Sequence, residues 1–324
     1  MRRILWYILA IVVAVASCTG GKVSPRLVAI DSLIATAPDS ACALLAAVPA
    51  DSLAYGDNRP YHALLTTIAD YKAYRPATSD SAISIALEHY DRSGADPDKR
   101  MRSLLYRGCV ATELGNDTLA MRYYKLAQQR CPASDLYHQG YIHFRIAQLY
   151  RKCIENKRAV AHLKKAHGIF ERIGNRHYLM ETSRVLGEAY TTYNGDSAFY
   201  YINKGIRMAQ EANDSSYLNV GRYDLSNYYY MCRKDYRTAA DILKQLIDES
   251  LSSIDPESAY YFACLSLVNL GKTDSAKIYF GMMHSPQTPL DSLRYLECEG
   301  KIKKLEGDYN GGDEQVNKSY AIGD

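Results

Sequence analysis

A metal ion or a catalytic base needs side chains that converge, and few of the reactive residues in this sequence are spaced to do so. His162 and His167 stand five positions apart, so they do not share a helix face well, and no carboxylate completes a ligand set beside them. Both read as solvated helix histidines. Cysteines occur at 18, 42, 109, 131, 153, 232, 264 and 298, with no C-x-x-C pair, which argues against a zinc site or a disulfide framework. Apart from Cys18 they read as small core residues within helices. Gly20-Gly21-Lys22 lacks the upstream glycine and the following hydroxyl residue of a phosphate-binding loop, and neither H-E-x-x-H nor G-x-S-x-G occurs. The expectation is a chain that is not an enzyme and needs no metal or cofactor.

The cysteine placed for chemistry is Cys18. Arg2 and Arg3 precede an apolar run from Ile4 to Val15, followed by Ala16-Ser17-Cys18. That order of basic, apolar and small residues is a signal peptide, covering 1–17, and the run is shorter than the ~20 residues of a membrane helix. Val15-Ala16-Ser17-Cys18 resembles the bacterial lipobox. The resemblance implies cleavage before Cys18, diacylation of its thiol and acylation of the new amine, which together anchor a protein stably. Residues 18–26 read as a short tether. Loss of Arg2 and Arg3 takes the formal charge from +3 to +1, so no nucleic-acid footprint is expected.

The remaining sequence must supply helices. Gly108, Gly115, Ala120, Tyr124, Ala127 and Pro132 have a regular logic. Gly108 and Ala120 are small where two antiparallel helices approach, and Gly115 gives backbone freedom to the turn between them. Tyr124 and Ala127 continue the face of Ala120, and Pro132 stops the helix. The pattern returns at Ala147, Tyr150, Ala159 and Ala166, at Gly187, Tyr190, Ala198 and Ile202, and at Tyr230, Tyr236, Ala239 and Leu243. It recurs at Gly271, Ala276 and Phe280, and at Gly300, Gly307 and Tyr309, where Gly312 replaces the usual alanine. Asp-Ser-Ala begins at Asp39, Asp80, Asp196 and Asp274, and its aspartate is expected to cap the second helix of each pair. The 29 tyrosines, against 5 Phe and 1 Trp, suit thin helical layers in which a ring is buried and its hydroxyl reaches water.

These spacings resemble the tetratricopeptide repeat, a helix-turn-helix unit of about 34 residues, here in a longer variant. The expected fold class is all-α, a superhelical solenoid of antiparallel helix pairs preceded by a signal peptide. Residues 27–98 read as degenerate N-terminal helical repeats and 99–324 as the regular array. Two short helices are expected between Leu27 and Val48, a loop from Asp51 to Pro60, and a pair over Tyr61–Tyr74 and Ser81–Tyr90.

In proteins of this resemblance the first helix of each pair lines a concave groove. That mapping places Arg102, Leu105, Tyr141, Phe144, Gln148, Arg151, Lys152, Arg184, Glu188, Asp224 and Tyr228 on the groove face, in part within a basic stretch from Arg145 to Arg176. Aromatic and arginine anchors there suit a protein or peptide segment as partner. Lipobox and Tyr-rich pairs together are similar to the tetratricopeptide lipoproteins of Bacteroidetes. The resemblance implies a lipid-anchored scaffold in the bacterial cell envelope, attached to the membrane through Cys18. Thr19-Gly20-Gly21-Lys22 lacks the acidic cluster that often directs such lipoproteins to the cell surface, which favours the periplasmic side. It further implies the sensory half of a longer signalling protein, from which this chain would be truncated. Two alternatives remain, a SusD-like glycan-binding lipoprotein and an outer-membrane assembly lipoprotein; the first normally uses exposed tryptophans, and the one tryptophan here is Trp6.

Overall fold

The computed structural model describes residues 23–92, 96–249, 251 and 253–323. Among these residues seventeen α-helices follow one another and no strand occurs. The expected signal peptide, Cys18 and the first part of the tether lie outside the described residues. The helices form two compact units, divided between Leu149 and Tyr150.

Unit 1 contains α1 (Pro25–Ile34), α2 (Pro38–Ala46), α3 (Ala50–Leu53), α4 (Asn58–Lys72), α5 (Ser81–Tyr90), α6 (Pro97–Glu113), α7 (Asp117–Arg130) and most of α8 (Leu136–Lys152). Proline opens α1, α2 and α6, at a position where its missing N–H has no helical partner to lose. The α6–α7 crossing shows how close contact is achieved. A Cβ on Gly108 would lie 2.5 Å from Cε1 of Tyr124, so the buried ring occupies space that only glycine leaves open. Ala120 and Ala127 are buried on the same face of α7, and the Tyr124 hydroxyl is 3.0 Å from that of Thr112. Gly115, with φ +77°, makes the turn in the left-handed region.

Two local expectations need correction. The segment 51–60 holds α3 and the start of α4 instead of a loop. Asn58 organises it, accepting from Ser24 N at 2.7 Å and donating to Ser52 O at 2.8 Å, so the turn is tied back to the start of α1. The Asp-Ser-Ala aspartates are not side-chain caps. Asn116 and Asn194 take that role, accepting from Leu119 N and Ser197 N, while Asp39, Asp196 and Asp274 sit inside the first turn, where their charge complements the helix dipole. Asp80 stands at the cap position without a capping bond and pairs with Arg107.

Unit 2 continues with α9 (Asn156–Arg172), α10 (Arg176–Tyr190), α11 (Gly195–Ala212), α12 (Ser215–Tyr228), α13 (Tyr236–Glu249), α14 (Pro256–Asn269), α15 (Thr273–Met282), α16 (Pro289–Leu305) and α17 (Tyr309–Gly323). Within the unit each helix packs on the next, and α10 also meets α12 as α14 meets α16. That alternation puts the first helices of successive pairs side by side, the arrangement that builds an inner face. At α16–α17 a Cβ on Gly300 would lie 2.7 Å from the Gly312 carbonyl oxygen, so two glycines let the helices cross at backbone contact. The departure from alanine at Gly312 thus marks an unusually close crossing. A π-helical turn, Tyr229–Arg233, follows α12 and had no signal in the repeat spacing.

His167 is buried, contrary to the solvated reading. In the neutral ring Nδ1 donates to Thr182 Oγ1 at 3.0 Å and Nε2 accepts from Lys204 at 2.9 Å. Burial first, then the Lys204 ammonium, pushes its pKa down to about 4. Cys42, Cys109, Cys264 and Cys298 are buried as expected, whereas Cys131 and Cys232 are half-buried and Cys153 is exposed; all seven are free thiols.

Candidate functional site

In unit 1 the candidate face is carried by α1, α4, α6 and α8. Arg102 holds Asp31 in a two-pronged ion pair, and Tyr61 adds a hydrogen bond to the same carboxylate at 2.6 Å. Burial alone would raise the Asp31 pKa; the guanidinium and its hydrogen bonds outweigh that and hold it below the ordinary carboxylate range. Lys72 donates to the Tyr137 hydroxyl at 3.0 Å and lies over the Tyr141 ring. Asp31, Lys72, Arg102 and Tyr137, with Val28 and Ile68, line an open cleft of about 450 Å³.

Behind it Arg145 is packed among tyrosines. It lies 5.5 Å from the Tyr71 ring centre, donates through Nε to the Tyr124 hydroxyl at 3.1 Å and through Nη1 to Gln148 Oε1 at 2.7 Å. Tyr141 and Phe144, expected on the open face, are buried instead. Tyr141 stacks on Tyr137 with ring centres 6.2 Å apart, so its ring packs the layer and is not presented to a ligand.

In unit 2 the first helices present a ladder of charges. Arg151, at the end of α8, pairs with Glu188 of α10. Arg184 reaches both neighbours on its own helix, Glu181 at 2.9 Å and Glu188 at 3.5 Å, and the Tyr217 hydroxyl of α12 donates to Glu181 at 3.0 Å. Burial would raise the Glu181 pKa, but Arg184 and the hydrogen bonds lower it. Asp224 of α12 is only 8% exposed, and its Oδ2 has no hydrogen-bond partner. Burial pushes its pKa up to about 7, with Glu188 and Glu181 adding to the effect and Arg184 and Arg151 opposing it. Lys152 is exposed beside Arg151. Tyr228 is buried, its ring 5.3 Å from that of Phe199, and serves packing.

Of the residues that the sequence mapping put on the groove face, the structure holds Arg102, Gln148, Arg151, Arg184 and Glu188 in polar networks on the first helices and buries Tyr141, Phe144 and Tyr228. The mapping missed Asp31, Lys72, Glu181 and Tyr217. Glu181 had a legible signal, since positions 181, 184 and 188 follow the spacing of one helix face. Asp31 had none, because its partner lies 71 positions away. Among the described residues no group of His, Cys, Asp and Glu is placed to hold a metal, and no helix is long and apolar enough to cross a membrane.

Antiparallel helix pairs, small residues at their crossings and an inner face built from first helices define a tetratricopeptide-type scaffold. Residues 156–279 match the family described as the SusR N-terminal TPR domain. That match spans less than half of the chain, and the fold is that of a tetratricopeptide-repeat protein. No curated protein matches it. Among solved structures it is similar to a tetratricopeptide repeat protein from Parabacteroides merdae ATCC 43184, at 14% identity and TM-score 0.57, covering 82% of this chain and 94% of that one. It is similar also to NprR in complex with its cognate peptide NprX, at 13% identity and TM-score 0.64, covering 90% and 87%. A Rap protein complexed with competence and sporulation factor matches at 14% identity and TM-score 0.63, covering 92% and 86%.

Proposed function

We propose that the chain is a lipid-anchored scaffold of the bacterial cell envelope, facing the periplasm, whose inner helix face captures a protein or peptide segment as the sensory half of a signalling protein. The observation that carries the binding role is the ladder Arg151, Glu188, Arg184, Glu181 in unit 2, a polar face on first helices with Glu188 and Lys152 reaching solvent. Similar folds solved with NprX and with competence and sporulation factor support a peptide partner. The match to an N-terminal domain supports a sensory segment ahead of an output region. Anchoring rests on the sequence from Arg2 to Cys18. This reading assigns the chain no catalysis.

Two experiments test it. Cys18→Ala moves the protein from the membrane to the soluble fraction; membrane association that persists in the variant refutes lipid anchoring. Arg151→Glu combined with Lys152→Glu changes partner affinity while circular dichroism stays unchanged, and unaltered binding removes this face from the site.

A further inference from the structure

Among the charges that act most strongly on Asp224, carboxylates outnumber guanidiniums. Glu181, Glu188 and Asp224 are three carboxylates, and the two guanidiniums among them, Arg151 and Arg184, are already bonded to Glu188 and Glu181. The shortfall falls on Asp224, which is more than nine-tenths buried and has an oxygen without a partner. One helical turn further along α12, Asn227 Oδ1 is also buried and unpartnered. With Asp224 ionised both unmet atoms are acceptors, so what the face lacks is a donor, and a buried acceptor left unmet is costly. An added anion would worsen this balance; an added cation repairs it.

Resting on the peptide-capture reading above, we propose that the inner face of unit 2 recognises a cationic side chain of the captured segment, the guanidinium of an arginine or the ammonium of a lysine. Glu188 is the point of entry, because 44% of its side chain is exposed and its bond from Arg184, at 3.5 Å, is the longest in the ladder. When the incoming cation pairs with Glu188, Arg184 is released toward Asp224. The third carboxylate gains its counter-charge although the ligand itself never reaches the buried oxygen. Peptides with a neutral residue at this place leave the shortfall intact, which gives the face a means of discrimination.

The test is to pan a random heptapeptide display library on the full chain in detergent, then to measure the enriched peptides by calorimetry. Enriched sequences are expected to share an arginine or lysine at a fixed position. Replacing that residue by citrulline or acetyl-lysine weakens binding tenfold or more, and Glu188→Gln and Asp224→Asn each reproduce most of the loss. Asp224→Asn preserves the side-chain shape, and the exposed Glu188→Gln guards against a variant that fails to fold. Enriched peptides that bind equally well without the cation, or equally well to both variants, overturn the proposal and leave peptide capture standing. Failure to enrich any peptide overturns both.

Discussion

Arg102 grips Asp31 with both ends of its guanidinium, Nη1 2.7 Å from Oδ2 and Nη2 2.6 Å from Oδ1, and so joins α6 to α1 within unit 1. The pair is mostly shielded from solvent, which makes it costly to break from one side. Arg102→Ala is expected to destabilise the protein by roughly 2–4 kcal/mol, because Asp31 then remains half-buried with Tyr61 as its hydrogen-bond partner and Lys99 as the nearby positive charge. Arg102→Ala combined with Asp31→Ala should cost less than the sum of the single changes. Denaturant melts of the four proteins measure this, and strict additivity would show that the pair is not coupled.

Gly108→Ala forces a methyl group to within 2.5 Å of the Tyr124 ring. The ring is fully buried and its hydroxyl is held by Thr112 and Arg145, so it cannot simply swing away. A loss of about 1–3 kcal/mol follows from overpacking. Adding Tyr124→Leu should recover part of it, as read by thermal melting.

Ile154 lies at φ +60° with 83% of its surface exposed, a β-branched residue in the left-handed region with no burial to compensate. Ile154→Gly is therefore expected to raise stability, by about 0.5–1 kcal/mol, against the usual direction of an isoleucine-to-glycine change. A lower melting temperature for the variant would mean that Ile154 makes a contact worth more than the strain.

Asp224 and His167 tilt the pH profile in opposite senses. The folded pKa of Asp224, about 7, lies above its ordinary 3.8, so its contribution is present below about pH 4 and lost as pH rises through 7. Asp224→Asn should thus stabilise the protein at pH 8, by roughly 2–4 kcal/mol. The folded pKa of His167, about 4, lies below its ordinary 6.5, so its contribution is present above pH 6.5 and lost as pH falls toward 4. His167→Gln should flatten the acid limb of the stability curve over that interval. Urea melts from pH 4 to pH 8 separate the two effects.

The helix pairs were legible because their signals are local. Gly108, Ala120 and Tyr124 lie within seventeen positions of one another, and small residues at those offsets have a steric reason that needs no knowledge of the rest of the chain. The groove face was half legible. Helical periodicity identified the first-helix positions, but it does not distinguish Tyr141 and Tyr228, which turn into the layer, from Arg184 and Glu188, which stay in the charge ladder. That choice depends on which ring or chain faces each position from the next helix. The capping role went to Asn116 and Asn194 for a similarly fine reason, a shift of one or two residues in where each helix begins.

Hydrogen–deuterium exchange on the full chain, with and without a library-selected peptide, tests the central claim most directly. Capture on the inner face of unit 2 predicts slowed exchange in the first helices α10 (Arg176–Tyr190) and α12 (Ser215–Tyr228), with little change in α9 and α11. Protection confined to α9 and α11, or none at saturating peptide, would contradict it.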